Sequence, residues 1–169
     1  MEIYLQDCSY LWEEMINDAV DSIVVFTPYF DEILVDLFDE CSLSYSDISL
    51  VTQLDWADSR DENIKRLNLI LDLHNKGVRV SILNRLHAKI LFVDGERALF
   101  GSQNFTRYST DSFEITTVIS YMDDESESTF ETLSEWLELA RPLSFDELTA
   151  ASGGRMTYTT VEDLEEDED

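Results

Sequence analysis

The chain has 169 residues, of which 44% are hydrophobic and 11% aromatic, enough for one domain with a substantial core. Its 37 acidic and 11 basic residues give a net charge of −26, and such self-repulsion weakens a compact fold in dilute buffer. No apolar run approaches the roughly 20 residues that span a bilayer, and the start lacks a signal-peptide pattern, so we expect a cytoplasmic protein without membrane contact.

Apolar runs and helical spacings alternate along the first half of the chain. Strands are predicted at 2–5, 22–27, 48–52 and 78–83. Helices are predicted at 9–20 and 31–41, and a third helix, which carries Ile64, Leu67, Ile70 and Leu71, ends at Gly77. Cys8 and Cys41 fit packing thiols better than a disulfide framework or a metal site.

The second half begins with two apolar runs joined by Asp94-Gly95, which predict a β-hairpin, and a strand at 114–120 follows. A helical stripe of Phe130, Leu133, Trp136, Leu137 and Ala140 ends at Pro142, and 144–147 has the Ser-x-x-Glu form of a capping box. This order predicts an α/β fold with a mixed β-sheet of about seven strands flanked by helices. We expect one folded domain over 1–151 and an acidic, disordered tail over 152–169.

The hairpin carries polar residues that are costly to bury unless they are satisfied. If Asp94-Gly95 forms a two-residue type I′ turn, His87 faces Ser102. Facing residues share one side of a sheet, and side chains alternate along each strand. The polar residues predicted on one face are then Arg85, His87, Lys89, Ser102 and Asn104. A β-bulge, for which Gly101 is a candidate, would shift this register.

The pattern His87-x-Lys89-x4-Asp94, followed by Gly101-Ser102-x-Asn104, resembles the HKD signature of the phospholipase D superfamily. The ending GSQNFT is most similar to nuclease-type members, and a looser resemblance covers residues 10–120. The resemblance implies a mixed seven-stranded sheet and a phosphodiesterase that forms a phosphohistidine and needs neither a metal nor a cofactor. The turn explains Asp94, so we assign structural roles to it and to Gly101.

In the chemistry that the resemblance implies, a neutral imidazole attacks phosphorus in line while a protonated imidazole gives its proton to the leaving oxygen. His87 is the expected nucleophile, Lys89 and Asn104 hold the non-bridging oxygens, and Ser102 adds a hydrogen bond. Glu114 lies where related nucleases place a carboxylate against the histidine Nδ1, which would aim Nε2 at phosphorus. The alternative for Glu114 is an ordinary polar residue at a strand edge.

Only one complete motif is present, although the implied reaction needs two histidines. His74-Asn75-Lys76 imitates a second motif, but Ser81 stands where aspartate is expected and no GSxN follows. A histidine and a lysine are also ordinary residues in the last turn of a helix. The resemblance to single-motif members therefore predicts a two-fold homodimer in which His87 of each subunit meets at the interface.

The basic residues are concentrated in one part of the chain. Residues 60–107 carry a net charge of +4, which indicates that this part of the chain binds an anionic substrate. The alternative is that segments next to the core carry fewer acidic surface residues than the rest of the chain, which would give part of the same asymmetry. We expect nucleic acid as the substrate, with weak contacts from Arg85 and Arg107. Three aromatic residues could stack on bases but are predicted to pack instead: Trp56, Phe105 and Tyr108.

Two other functions stay open, namely a nucleic-acid-binding subunit that does not cleave and a phosphodiesterase that acts on phospholipids. The acid-rich, lysine-poor composition resembles that of proteins from salt-loving cells, where salt screens the repulsion. A nucleic-acid mimic or a ligand for a basic partner would have a similar composition. The acidic tail could recruit a basic protein partner or cover the groove, and solvation alone also explains it.

Overall fold

The computed structural model describes residues 1–54, 61–124 and 126–156. The strands are β1 Glu2–Leu5, β2 Ile23–Phe26, β3 Ile48–Thr52, β4 Arg79–Ile82, β5 Lys89–Val93, β6 Arg97–Gly101, β7 Ile115–Ser120 and β8 Arg141–Pro142. The helices are α1 Ser9–Asn17, α2 Glu32–Glu40, α3 Asp61–Lys76, α4 Ser126–Leu139 and α5 Phe145–Ala151, with short 3-10 helices at Tyr45–Asp47 and Arg107–Asp111.

The strands form one mixed sheet in the order β1-β7-β6-β5-β2-β3-β4-β8. Strands β2, β3 and β4 are parallel, whereas β5 runs antiparallel to β2 and continues into the antiparallel ladder β5-β6-β7-β1. The predicted α/β fold and its seven strands are thus confirmed. The two-residue β8, which pairs with β4, is an eighth strand that the sequence did not predict.

Helices cover both faces of the sheet, and this explains why the central strands read as unbroken apolar runs. On one face, alternate strand residues such as Val25 and Leu91 pack against α1, α2, α3 and α5, and Cys8 lies in this layer. On the other face, Phe26 and Phe92 pack against α4. All residues of β2, β3 and β5 are buried, so the centre of the sheet is a rigid base for the loops at its ends.

The ends of the helices follow from local backbone chemistry. Gly77 has φ +105° and follows the last turn of α3, where Val78 N–H donates to the Leu73 carbonyl at 3.0 Å, as a Schellman motif requires. Helix α1 is shorter than predicted and ends at Asn17. The backbone N–H groups of residues 20–22 donate to a side chain on the hairpin instead of continuing the helix.

The predicted capping box at 144–147 does not form. Helix α5 begins at Phe145 as the motif suggests, but the Ser144 side chain makes no capping hydrogen bond. The Glu147 carboxylate, which a capping box would turn back to Ser144, pairs instead with the Arg141 guanidinium. The ion pair with β8 therefore outcompetes the local cap.

The packed part of the chain continues past α5 to Met156. Ser152 and Met156 are both buried, and Met156 N–H donates to the Ser152 hydroxyl at 3.0 Å. Residues 157–169, which make up most of the expected tail, lie outside the described residues. In the parts of the chain that the structure describes, none of the helices has the length and apolarity needed to cross a bilayer.

Candidate active site

The hairpin turn contains a β-bulge that shifts the strand pairing. Asp94 and Gly95 have φ values of +56° and +69°, and Glu96 N–H donates to the Val93 carbonyl at 3.0 Å, as in a type I′ turn. Val93 nevertheless pairs with Arg97. Glu96 is left as an extra residue, and its carbonyl accepts a hydrogen bond from the residue after β7.

The bulge moves the whole register by one residue. Lys89 lies opposite Gly101, so the predicted pairing of His87 with Ser102 is wrong, and the bulge is at the turn rather than at Gly101. His87 precedes β5 and Ser102 follows β6, so strand alternation does not decide where these two side chains point. The predicted site residues are instead brought to one end of the hairpin by the loops that leave it.

Lys89 connects the strand to the preceding loop. Its Nζ donates to the His87 carbonyl at 2.8 Å and lies 3.4 Å from Nδ1 of the His87 ring. The Lys89 side chain is only 7% exposed, whereas His87 is exposed. Burial lowers the pKa of Lys89 from its ordinary value, and the negative charge of Glu114 opposes this shift.

Ser102 and Glu114 form the second half of the cluster. The Ser102 hydroxyl donates to the Glu114 carboxylate and accepts from Ile115 N–H at 3.1 Å, while Ser102 N–H donates to the Ile115 carbonyl at 3.0 Å. Within the described parts of the chain, Glu114 therefore acts on the site through Ser102 and through its charge on Lys89. No hydrogen bond joins it to Nδ1 of His87 among these residues.

Asn104, two residues after Ser102 in the chain, carries a buried hydrogen-bond acceptor. Its side-chain oxygen Oδ1 is inaccessible to solvent and has no hydrogen-bond partner among the described residues. A buried acceptor without a hydrogen-bond partner costs about 1–3 kcal/mol of stability, so its presence calls for a functional explanation. The backbone of the same loop is fixed, because Thr106 N–H donates to the Asn104 carbonyl at 2.8 Å.

Gln103 is a site-supporting residue that the motif treats as variable. It is 2% exposed, and its amide accepts from Cys8 N–H at 3.0 Å and donates to Asp7 Oδ1 at 2.8 Å. These bonds tie the Ser102–Asn104 loop to the start of α1. No pattern in the sequence indicates this role, because Gln103 follows the end of β6, where strand alternation no longer applies.

Gly101 allows β7 to approach the end of β6. A Cβ at this position would lie 2.8 Å from the Ile115 carbonyl oxygen and 2.8 Å from Thr116 Oγ1. Real side chains do not tolerate such contacts, so any larger residue would displace β7 and the neighbouring Glu114. The close approach of β7 therefore requires a residue without a side chain at this position.

Asp94 lies at the other end of the hairpin, away from the cluster. Its carboxylate accepts backbone N–H groups of Val20, Asp21 and Ser22 at 2.8–3.2 Å. Partial burial alone would raise the pKa of Asp94, but these hydrogen bonds outweigh burial, so the pKa is lowered. The carboxylate thus holds the hairpin turn to the connection between α1 and β2.

The weaker candidates lie around the cluster. Arg85 is exposed in the turn before His87 and has φ +63°, and exposed Arg107 begins a 3-10 helix just after Asn104. Phe105 is fully buried with its ring centroid 4.7 Å from that of Trp12, so packing is confirmed for it. Tyr108 is 86% exposed, so the same expectation is wrong there, and Trp56 lies outside the described residues.

The other histidine has a structural place in the fold. His74 lies in the last turn of α3, and its ring meets that of Phe145 edge to face at 5.1 Å between centroids. Over 1–54, 61–124 and 126–156, no group of three or more His, Cys, Asp and Glu residues could hold a metal ion.

The family profile described as "Cardiolipin synthase, PLD-like domain" matches residues 13–136. The chain therefore belongs to the family of phospholipase D-like domains. A search of curated protein sequences found no match.

Solved structures share this fold over most of the chain. Nuc from Salmonella typhimurium, a phospholipase D family member, is 20% identical with a TM-score of 0.62, over 84% of this chain and 97% of that one. NucT from Helicobacter pylori is 10% identical with a TM-score of 0.60, over 84% and 99%. Phosphatidylserine synthase from Haemophilus influenzae is 11% identical with a TM-score of 0.65, over 84% of this chain but only 39% of that one.

Proposed function

We propose that this protein is a metal-independent phosphodiesterase that cleaves nucleic acid through a phosphohistidine on His87. The observation that carries the proposal is the clustering of His87 with Lys89 and of Ser102 with Glu114 at one end of the hairpin, where the charge of Glu114 also acts on Lys89. An exposed imidazole beside a buried ammonium group fits a nucleophile beside an anion-binding cation.

The chemistry assigns the two ring nitrogens of His87. Nδ1 faces the Lys89 amine, so Nε2 is the nitrogen left for phosphorus. When Nε2 supplies the lone pair, Nδ1 carries the ring proton, and Lys89 is then held by the His87 carbonyl at 2.8 Å rather than by the ring. Lys89 and the Asn104 amide stabilise the charge that develops on the non-bridging oxygens.

The reaction has two displacements. Nε2 of His87 forms a bond to phosphorus as the bond to the leaving oxygen breaks, and a protonated second imidazole gives that oxygen its proton. The same imidazole, now neutral, takes a proton from water, whose oxygen attacks phosphorus and breaks the phosphorus–nitrogen bond. His87 is released unchanged and the product carries a terminal phosphate.

The second imidazole comes, in this proposal, from a second copy of the chain. His74 is packed against Phe145 on α3, so it does not supply that group. A two-fold homodimer brings the two His87 rings to one phosphate, with one motif in each subunit. A heterodimer of one His87→Ala subunit and one Lys89→Met subunit contains only one His87 ring. A mixture of the two variants should therefore stay inactive under conditions where wild-type dimers sediment as one species.

The test of the proposal is cleavage of labelled DNA and RNA in molar KCl with EDTA present. We expect wild type to cleave, His87→Ala to lose at least about a thousand-fold in rate, and His74→Ala, the matched control, to keep its activity. Quenching with an alkaline denaturant during turnover of a substrate labelled at its internal phosphates should trap labelled phosphorus on the chain in wild type. Equal rates for wild type and His87→Ala, or complete loss of activity with EDTA, would contradict the proposal.

Phospholipid cleavage is the second candidate. The side chain of Phe113 is 96% exposed next to Glu114, and Ile115 is half-exposed, so an apolar surface adjoins the cluster. The name of the matching family profile also refers to a phospholipid enzyme. Release of headgroups from anionic phospholipid vesicles, without cleavage of oligonucleotides, would favour this function. Tight binding of oligonucleotides without cleavage would favour a binding subunit instead.

We further infer that the protein works in concentrated cytoplasmic salt. A net charge of −26 with few lysines suits a surface whose repulsion is screened. In such salt, contacts to phosphate weaken steeply, so binding depends more on short-range contacts. Recruitment of a basic protein by the acidic segment beyond Met156 is a separate proposal, which removal of that segment would test.

A further inference from the structure

A pocket of about 640 Å³ is lined in part by Thr106 and Tyr108, which follow Asn104 in the chain. It lies between the start of α2, the first half of α3 and the 3-10 helix Arg107–Asp111. Thr106 and Tyr108 form one wall, Tyr29 and Phe30 form another, and Arg66 and Leu69 line α3. Pockets of roughly 300–1,000 Å³ take one small ligand, so this volume suits a single nucleotide and not a duplex.

The pocket is rigidly connected to the candidate active site. Phe30 forms a parallel bridge with Phe105, and Asp31 N–H donates to the Phe105 carbonyl at 3.1 Å. In return, Arg107 N–H donates to Asp31 Oδ2 at 2.6 Å. Thr106 lies two residues after Asn104, which is at most about 7 Å of extended chain. The pocket wall at Thr106 is therefore close enough to Asn104 for adjacent parts of one nucleic-acid strand to reach both.

The walls favour a flat ring over a phosphate. The Arg66 guanidinium is 4% exposed, is held by the carbonyls of Pro28 at 2.9 Å and Gln53 at 2.8 Å, and lies 5.5 Å from the Tyr29 ring centroid. The lining also contains more carboxylates than cations, namely Asp31, Glu32 and Glu62 against Lys65 and Arg66. The surplus of carboxylates disfavours a bound anion, whereas the N–H groups of a neutral ring can donate hydrogen bonds to these carboxylates.

Tyr108 presents a stacking surface at the mouth of this pocket. Its side chain is 86% exposed, which is unusual for a large aromatic residue, and the 3-10 helix that holds it is capped by the Thr106 hydroxyl. Aromatic side chains stack on nucleobases through uncharged ring faces, so concentrated salt weakens this contact less than it weakens contacts to phosphate.

We propose that this pocket binds one unpaired nucleobase next to the scissile phosphate, stacked on Tyr108. The inference rests on the proposed function and specifies its substrate as single-stranded or locally unpaired nucleic acid. A paired base offers neither a free ring face nor a free edge, so a duplex has to open before its base can enter.

The experiment measures binding separately from cleavage. In the full-length His87→Ala protein, fluorescence anisotropy in molar KCl reports the Kd of labelled single-stranded DNA and RNA oligonucleotides. Tyr108→Ala should weaken binding by about ten-fold, and Tyr108→Phe, which keeps the ring, should stay within about two-fold. Tyr121→Ala, which removes an exposed tyrosine at the far end of β7, is the matched control and should change nothing.

An abasic residue placed at successive positions of the oligonucleotide identifies the base. One abasic position should weaken binding to the parent protein by about ten-fold and should have no further effect in Tyr108→Ala. Equal Kd values for Tyr108→Ala and Tyr121→Ala, equal losses at every abasic position, or tighter binding of duplex than of single strand would overturn the inference. Loss of the proposed function is a different result, in which wild type cleaves neither DNA nor RNA.

Discussion

Gln103 accepts a hydrogen bond from Cys8 N–H at 3.0 Å and thereby fixes the loop that carries Ser102 and Asn104 to the first turn of α1. We predict that Gln103→Ala lowers the free energy of unfolding by about 1–3 kcal/mol, because it leaves a buried N–H without a partner. The loss of loop order should also reduce kcat. Thermal unfolding and single-turnover cleavage measure the two effects, with Asn75→Ala, an exposed amide on α3, as the control. Wild-type stability in Gln103→Ala would contradict this role.

Gly101→Ala should destabilise the protein through a backbone clash. The new Cβ meets the Ile115 carbonyl oxygen and Thr116 Oγ1 at 2.8 Å, so β7 has to move. We expect a loss of about 1–3 kcal/mol, together with displacement of Glu114. Gly95→Ala is the comparison, because a Cβ there enters open space but is strained by φ +69°, which costs about 1 kcal/mol. Chemical denaturation should rank Gly101→Ala as the more damaging change.

Asp94→Asn should destabilise the protein at neutral pH and lose this effect in acid. The pKa of Asp94 is lowered in the folded state, so its contribution is present above the unfolded pKa of about 3.9 and is lost as pH falls through the folded pKa. Because three backbone N–H groups bind the charged carboxylate, we expect a cost of roughly 1.5–3 kcal/mol at neutral pH. Urea unfolding across this pH range measures it, with exposed Asp21→Asn as the control. If the difference in unfolding free energy between Asp94→Asn and wild type persisted unchanged in acid, the charge of the Asp94 carboxylate would not be its cause.

Lys89→Met should stabilise the fold and abolish activity. Burial lowers the pKa of Lys89, so its charged form disfavours folding at pH values below the folded pKa, and this penalty disappears as pH rises above the unfolded value of about 10.4. Removal of the charge should therefore raise Tm at neutral pH, while kcat falls by about a hundred- to a thousand-fold. Lys65→Met on α3 is the control. A lower Tm with retained cleavage would show that Lys89 is structural.

Salt should stabilise the protein. Screening of the −26 charge shortens the reach of repulsion to about 3 Å in 1 M salt. We expect Tm to rise by roughly 5–10 °C between 0.1 and 2 M KCl, equivalent to a few kcal/mol. Differential scanning calorimetry at both concentrations tests this, and sucrose controls for general exclusion effects. A Tm that falls with KCl would contradict the inferred working environment.

The sequence predicts the sheet well because periodicity and burial determine it. The β2, β3 and β5 runs are apolar at every position, and the structure buries each of them on both faces. The sequence also predicts that His87 and Lys89 lie close together, and Lys89 Nζ donates to the His87 carbonyl at 2.8 Å.

The register and the local contacts were not predictable from the same patterns. Glu96 becomes a bulge because its carbonyl is used by the residue after β7, and that contact depends on the assembled sheet. Glu114 meets Ser102, and Glu147 meets Arg141, because tertiary neighbours compete with the expected local partners. The supporting role of Gln103 was not predictable either. The motif specifies the residues that take part in the chemistry and leaves the buried residue between them variable.

The strand β1 closes one side of the sheet and pairs only with β7 among the described strands. Its Ile3 and Leu5 side chains are more than half exposed, so its outer row of peptide groups is a template for strand addition by another chain. Mutual repulsion between these acidic molecules opposes such fibrous association. The ions that stabilise the fold also weaken that protection, so solubility and stability should respond to salt in opposite directions.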